Sequence, residues 1–324
     1  MALSQMQVFN EYMMPAIIET LGQMVDKFNT ASNGALRLTT DGFDGDFLQE
    51  SFFAAIHQAQ RRVDRYAANG AASATDLSQL KHSSVKVAGG FGPIRFEPSQ
   101  LTWLQKPTSE GIEVASRNFA EAMLRDQLNT AIAALVGAVS NNSDATNNAS
   151  GSSDISQNVL NDSHALFGDR SQDLIAQVMT GRVYHKLIDD NLTNTPQLFQ
   201  AQNVRVVDIL GKAVIVTDAP ALFTPVSGSD PAINRVLSLV NSAAIVHDSG
   251  NLVSNIETTN GKNRIETTMQ VDYDFGLGLK GYAWDETNGG KSPSDSDLAT
   301  GSNWDQVATD VKHTAGVIAI GAVQ

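Results

Sequence analysis

Three glycines, Gly276, Gly278 and Gly281, have the Gly-x-Gly-x-x-Gly spacing that binds the pyrophosphate of a dinucleotide. That chemistry requires a helix directly after the glycines, because the first backbone N–H groups of the helix bind the phosphates. The segment that follows, TyrAlaTrpAspGluThrAsnGlyGly, instead predicts a strand and a turn. We therefore interpret the glycines as positions where a strand bends or packs closely, with a nucleotide-binding enzyme as the less favoured alternative.

Other residue types that carry out catalysis or bind metals are present, but not at spacings that indicate a site. The chain has no Cys, which excludes a disulfide, a thiolate metal ligand and a thiol nucleophile. No Gly-x-Ser-x-Gly elbow is present, and acidic pairs such as Asp189 with Asp190 are typical of solvated loops and caps. The six histidines are each isolated from a second metal ligand: His57, His82, His164, His185, His247 and His313. We predict no catalytic, cofactor-binding or metal-binding residues, and no enzyme.

The overall charge argues against a protein that grips nucleic acid. The net charge is −13, whereas proteins that bind phosphates cluster Lys and Arg. Charged residues make up 18% of the chain, below the roughly 25% of ordinary soluble domains, so we expect partners to cover much of the surface. Because no stretch approaches ~18 apolar residues and no signal-peptide pattern is present, we expect a soluble protein made in a cytoplasm, with no membrane segment.

The elements that would position any site are helices in the first half of the chain. Apolar residues at three- and four-residue steps predict helices over residues 5–29, 45–66 and 107–139. The third would span about 45 Å at ~1.5 Å per residue, which is typical of a structural spine. A further helix is predicted over residues 171–189.

Strands dominate the rest of the chain. Residues 83–97 predict two short strands around AlaGlyGly, a ribbon that we expect to contact its own core little. An Asn- and Ser-rich loop follows at 140–158. Further strands are predicted over residues 204–209, 212–218, 235–240, 243–247 and 264–278. Helices first and strands later, without strict alternation, predict an α+β fold.

This order of segments resembles the major capsid protein of tailed bacteriophages, with the Hong Kong 97-type fold. The stretches most similar to that family are LeuGlyLysAlaValIleValThrAspAlaPro at 210–220, AspTyrAspPheGlyLeuGlyLeuLysGlyTyrAlaTrp at 272–284 and LeuAlaThrGlySerAsnTrpAspGlnValAla at 298–308. In that family an Asn-Trp pair opens the last strand-forming segment. The resemblance covers nearly the whole chain and implies no catalytic signature.

The resemblance also implies a division of the chain into five parts. They are an N-arm region (1–56), an extended loop (57–106), a peripheral domain with the spine helix (107–157), an axial domain (158–255) and a return to the peripheral domain with the tail (256–324).

In function, the resemblance implies a subunit that self-assembles as pentamers and hexamers into an icosahedral shell around a phage double-stranded DNA genome, without sequence-specific binding. It implies a virion capsid assembled in the bacterial cytoplasm, a separate scaffolding protein, a portal and a possible decoration protein. A non-viral nanocompartment shell protein would share the fold and is the main alternative.

An uneven charge distribution predicts where the subunits meet. Residues 57–106 contain seven Lys and Arg against three Asp and Glu, a net charge of +4 in an otherwise acidic chain. Opposite patches on like subunits allow head-to-tail contacts that close into rings. The residues predicted to make these contacts are Arg61, Arg62, Arg65, Lys81, Lys86 and Arg95.

Overall fold

The computed structural model describes residues 16, 19, 25, 29–30, 32–53, 62–68, 70, 79–96, 109–151, 153–194, 212–228, 231–261 and 263–322. The described residues of the first predicted helix are helical, and Val25 is buried. The predicted strand at 204–209 lies outside these ranges.

The spine helix, α1 (Ser109–Ser140), confirms the helix predicted over residues 107–139. Its apolar face is buried at Met123, Ile132, Leu135 and Val139. On the opposite face the Arg117 Nε lies 3.0 Å from Glu121 Oε1, an exposed pair one helical turn apart. The described part of its first half is thus exposed on one side, whereas its second half is buried on most sides.

Three shorter α-helices follow α1 along the chain: α2 (Gln157–Ala165), α3 (Gly181–Asn194) and α4 (Asp295–Ala299). The α4 helix begins with a capping box, in which Ser294 and Asp297 each bond the other's backbone N–H. Asp297 is therefore a helix-cap carboxylate. Across the described ranges, no helix combines the length and apolar character needed to cross a membrane.

Thirteen strands in the described residues form two sheets. The seven-stranded sheet has the order β1-β9-β10-β11-β12, with β3 also paired to β10 and β2 paired to β3. Its strands are β1 (Leu36–Thr39), β2 (Phe47–Phe53), β3 (Gln79–Phe96), β9 (Ala244–Thr259), β10 (Glu266–Leu279), β11 (Tyr282–Trp284) and β12 (Trp304–Gln306).

The six-stranded sheet has the order β4-β13-β8-β5-β6, with β7 paired to β8. Its strands are β4 (Thr146–Asn148), β5 (Leu174–Met179), β6 (Ala213–Val216), β7 (Phe223–Thr224), β8 (Ile233–Val240) and β13 (Gly316–Ala322). Every residue of β13 is buried, and the strand is parallel to β4 and antiparallel to β8. The predicted strands at 212–218, 235–240, 243–247 and 264–278 are thus confirmed.

Two predicted helices are wrong in part. Residues 47–53 form β2 and residues 62–68 are irregular, where the sequence predicted a helix over 45–66. Residues 174–179 form β5, and only the second half of the helix predicted over 171–189 is helical. Both errors concern short apolar runs, in which periodicity does not separate a buried strand from a helix.

One apolar core joins the two sheets through α1. It contains Leu135 of the helix, Val85 and Leu277 of the seven-stranded sheet, and Leu237 and Val317 of the six-stranded sheet. The helix also meets the end of α4 backbone to backbone. A Cβ built on Gly137 would lie 2.3 Å from the carbonyl oxygen of Ala299, so only glycine fits this contact.

Two tryptophans at β11 and β12 belong to the same apolar core. Trp304 pairs with Trp284 across β11 and β12, and their rings meet edge to face at 4.9 Å and 71°. Each indole N–H is satisfied by a backbone carbonyl, of Gly290 for Trp284 and of Leu298 for Trp304. The Asn-Trp pair therefore does open a strand, although β13 follows it.

Candidate intersubunit surface

The predicted contact residues Lys81, Lys86 and Arg95 lie on β3, a single strand of 18 residues rather than two short strands. It pairs with β10 from Val85 to Phe96 and with β2 from Gln79 to Val85. The expectation of little contact with its own core is therefore wrong for residues 79–96. The AlaGlyGly sequence stays within the strand.

The glycines of β3 have a packing reason. Gly89 lies opposite Tyr273, and a Cβ built on Gly89 would come within 2.8 Å of the tyrosine ring. The Tyr273 hydroxyl donates to Asp126 Oδ2 of α1 at 2.6 Å, and burial raises its pKa. Glycine thus makes room for the ring that ties the sheet to the spine helix.

Lys81 has a partner in its own chain. Its Nζ lies 2.6 Å from Glu286 Oε1, in the turn after β11. The same oxygen accepts from Gln49 Nε2 and Ser83 Oγ, each at 2.8 Å. The hydrogen bond from Lys81, aided by those from Ser83 and Gln49, holds the pKa of Glu286 below its ordinary value. This carboxylate fixes the β2 and β3 ribbon to the body of the subunit.

Arg95 and Lys86 differ in their surroundings. Arg95 Nη1 lies 3.3 Å from Glu266 Oε1 of the paired strand β10. The Lys86 ammonium lies 5.7 Å from the ring centroid of Phe43, a cation–π contact, and no described carboxylate pairs with it. Lys86 is thus a cation of β3 that no acid of the described chain neutralises.

The three cations of β3 do not form one patch. Lys86 and Arg95 lie opposite Gly276 and Thr268 of β10, on the same face of the sheet and nine residues, or about 30 Å, apart. Lys81 is on the other face, because its position has the parity of the buried Val85. A neighbouring subunit would meet them at separate points.

Arg62 and Arg65 lie in an exposed segment that also carries apolar side chains. Tyr66 is 91% exposed and Val63 is 65% exposed, and the Arg65 guanidinium lies 5.9 Å from the Tyr66 ring. Neither arginine pairs with a carboxylate in the described part of the chain. Arginine and tyrosine are enriched in protein interfaces, so this segment has the composition of a contact surface.

The sequence analysis named the arginines of this segment as contact residues and missed Val63 and Tyr66. Arg61 lies outside the described residues.

The structure removes the geometric basis for a dinucleotide site. Gly276 and Gly278 are inside β10, and the element after Gly281 is the strand β11. A Cβ on Gly276 would lie 2.1 Å from the ring of Phe43, and Gly281 has a φ of 79°. These glycines serve close packing and a turn, which confirms the structural interpretation.

The histidine and carboxylate groups of the described chain do not cluster as metal ligands would. In the ranges that the structure describes, no group of three or more potential ligands comes together. His164, the most enclosed of the described histidines, bonds Ser238 Oγ at 2.9 Å and Gln177 Nε2 at 3.2 Å. Its contacts are those of a core residue.

Comparisons with known proteins agree on one family. The family model described as major capsid protein 13-like matches residues 5–318. No curated protein matches the chain.

Among solved structures the chain is similar to the capsid asymmetric unit of cyanophage Pam1, with 12% identity over 88% of this chain and 87% of that one, and a TM-score of 0.52. It is also similar to the acidic stable capsid of Helicobacter pylori bacteriophage KHP30, with 10% identity over 89% and 87% of the two chains and a TM-score of 0.50.

These likenesses confirm the predicted α+β fold of the Hong Kong 97-like capsid type. The family match favours neither the nanocompartment nor the nucleotide-binding enzyme. The chain belongs to the major capsid protein 13-like family, and it is a structural protein of the virion that assembles with copies of itself into a capsid shell.

Proposed function

We propose that the subunit forms pentamers and hexamers that close into an icosahedral shell around a double-stranded DNA genome in the bacterial cytoplasm. The observation that carries this proposal is the family match over residues 5–318. The acidic chain suits a DNA container, since a basic lining would trap the polymer that must be packaged and released.

The five-part division of the chain remains part of this proposal: N-arm region 1–56, extended loop 57–106, peripheral domain 107–157, axial domain 158–255 and return segment 256–324. Four strands of the six-stranded sheet, β5 to β8, fall within 158–255, which supports an axial domain there. The remaining two, β4 and β13, come from the segments on either side. The axial sheet would thus be completed by strands from outside its own range.

We further propose that a separate scaffolding protein guides assembly and that a portal and a decoration protein join the shell. Electron microscopy of the purified protein, with and without the scaffold, tests the shell itself. Closed particles with five-fold and six-fold capsomers are expected. A stable monomer at high concentration with the scaffold present would contradict the proposal.

In this proposal the basic residues Arg61, Arg62, Arg65, Lys81, Lys86 and Arg95 contact acidic surface on a neighbouring subunit. The strongest candidates are Arg62, Arg65 and Lys86, because no described carboxylate of their own chain pairs with them. Lys81 already pairs with Glu286 and Arg95 with Glu266, so each would have to leave that partner, or keep it, while it also binds an acid of the neighbouring subunit. Each exposed pair contributes only ~0–1 kcal/mol, but the contact repeats around a closed shell.

Reversal of charge at three positions tests this surface. The triple variant Arg62→Glu, Arg65→Glu, Lys86→Glu should keep its circular dichroism spectrum and assemble less well, most visibly at low salt, where screening is weakest. The matched control is Arg37→Glu, Arg125→Glu, Arg182→Glu, which reverses three exposed cations outside residues 57–106. Equal assembly of the two triple variants at low salt would refute the proposed surface.

A further inference from the structure

A cavity of about 470 Å³ lies where the end of α1, the strands β7 and β8 and the loop after α4 come together. Val136 and Ser140 of α1, Thr224 of β7, Arg235 of β8 and Gly301 line it. Among the described residues the lining is otherwise apolar or neutral and includes no carboxylate. Within that set Arg235 provides the one charged group, its guanidinium.

Arg235 makes hydrogen bonds only to neutral groups in the described part of the chain. Its Nη1 donates to Thr224 Oγ1 at 2.7 Å and to the carbonyl oxygen of Ala221 at 3.4 Å. A guanidinium carries five N–H donors. Both bonds to the described residues are made by Nη1, so Nε and Nη2 have no acceptor among them. Burial lowers the pKa of Arg235, and no neighbouring acid offsets that effect.

Ser140 supplies a second polar group without a partner. Its hydroxyl oxygen is buried and has no hydrogen bond within the described ranges, and the residue lines the same cavity as Arg235. A buried hydroxyl without a partner is destabilising, because the desolvation of its oxygen is not offset by a hydrogen bond. An acceptor placed in the cavity would serve both the serine and the arginine.

We propose that this cavity receives a carboxylate side chain from a second copy of the chain in the assembled shell. Carboxylate is the acceptor that matches the two-pronged geometry of a guanidinium. Every copy offers many, with 35 Asp and Glu in the sequence, and self-assembly brings copies into contact. The inference rests on that self-assembly and adds a specific contact outside residues 57–106.

A role within one subunit competes with this contact. The last turn of α1 contains no basic residue, so Arg235 could instead balance the negative end of the helix dipole. That role affects the stability of the isolated subunit and leaves assembly unchanged. The two roles are therefore separable by measuring each property on the same variants.

The first test compares Arg235→Gln and Arg235→Lys with Arg182→Gln, a matched control at an exposed arginine of α3. We expect Arg235→Gln to raise the concentration needed for assembly at least fivefold, Arg235→Lys to raise it less, and the control to match the wild type. Melting of the unassembled subunits checks folding. Assembly of Arg235→Gln at the wild-type concentration, or an assembly loss that merely follows a lower melting temperature, would overturn the inference.

The second test identifies the partner directly. Particles of Arg235→Lys are assembled from a mixture of ¹⁴N and ¹⁵N subunits and treated with a carbodiimide, which joins an amine to an adjacent carboxylate. Cross-linked peptides of Lys at position 235 that combine both labels support the inference and name the acidic residue. Cross-links with a single label throughout, or none, overturn it. Failure of the wild type to form particles would instead contradict the proposed shell.

Discussion

At the scale of single residues, Gly137 shows how closely α1 approaches the end of α4 and the loop after it. A Cβ built on Gly137 would lie 2.3 Å from the carbonyl oxygen of Ala299, and a Cβ built on Gly301 would lie 2.4 Å from the carbonyl oxygen of Gly137. Both contacts are with backbone atoms, which cannot rotate away. The two glycines therefore set the distance between the helix and the loop.

We predict that Gly137→Ala destabilises the subunit, although the same change in an ordinary helix stabilises it by about 0.4–1 kcal/mol. The added methyl group must push the helix away from Ala299, which costs about 1–3 kcal/mol as other overpacking does. Chemical denaturation of the unassembled subunit measures the change. Gly151→Ala is the control, because that site is open. A stabilised Gly137→Ala would show that the contact is loose.

His164 links the stability of the six-stranded sheet to pH. Burial, with a smaller contribution from the charge of Lys212, lowers its pKa below the ordinary value of 6.5. Below pH 6.5 the unfolded chain binds a proton at this position and the folded chain does not until the pH reaches the lower, folded pKa. Stability from this residue is therefore complete above pH 6.5 and decreases as the pH falls.

The prediction is that wild-type subunits lose more stability between pH 7.5 and pH 5 than the variant His164→Gln, which does not titrate. Denaturation curves at the two pH values for both proteins give the comparison. The baseline stability of the variant does not affect the test, since only the pH-dependent difference is compared. Parallel losses would mean that His164 is protonated equally in both states.

At the scale of elements, Glu286 holds the ribbon of β2 and β3. Because the carboxylate accepts from three donors on these strands, Glu286→Gln should open the ribbon locally while barely changing global stability. Hydrogen exchange should quicken at residues 47–53 and 79–85. The control Glu257→Gln changes an exposed carboxylate of β9. Unchanged exchange would assign the ribbon's order to its backbone pairing alone.

The spine helix and several strands could be predicted from the sequence, whereas the apolar runs of β2 and β5 were assigned to helices. α1 is 32 residues long, a length at which apolar residues at three- and four-residue steps predict a helix and not a strand. β5 has only six residues, LeuIleAlaGlnValMet, and lies between two strands with nearly all of it buried. β5 is a strand because it pairs with β6 and β8, and a local sequence pattern does not reveal that pairing.

At the scale of the whole molecule, the larger of two core clusters in the described chain joins α1 to both sheets, which predicts one unfolding transition. α1 packs against both sheets, and buried residues of the two sheets belong to the same cluster. Neither sheet can lose its packing without exposing the helix. Calorimetry of unassembled subunits should give a van 't Hoff enthalpy equal to the calorimetric enthalpy. Two resolved transitions would show that the sheets unfold independently.

The sequence could predict which segment of the candidate surface carries excess positive charge, but not how its side chains are arranged. A count of Lys and Arg located residues 57–106. It could not show that Lys81 and Arg95 already have acidic partners 205 and 171 residues away in the chain. It also could not show that Tyr66 is exposed, because an aromatic residue within a predicted helix is ordinarily assigned to the core.

The position of β13 in the six-stranded sheet has a consequence for how each subunit folds during translation. This strand lies between β4 and β8, yet β8 ends 76 residues before β13 begins. At ~5–20 residues per second, translation leaves that edge of β8 uncovered for about 4–15 s. An uncovered strand edge pairs readily with foreign strands. Each nascent subunit therefore passes through an interval in which a neighbouring chain on the same mRNA can pair with the free edge of β8 before β13 is synthesised.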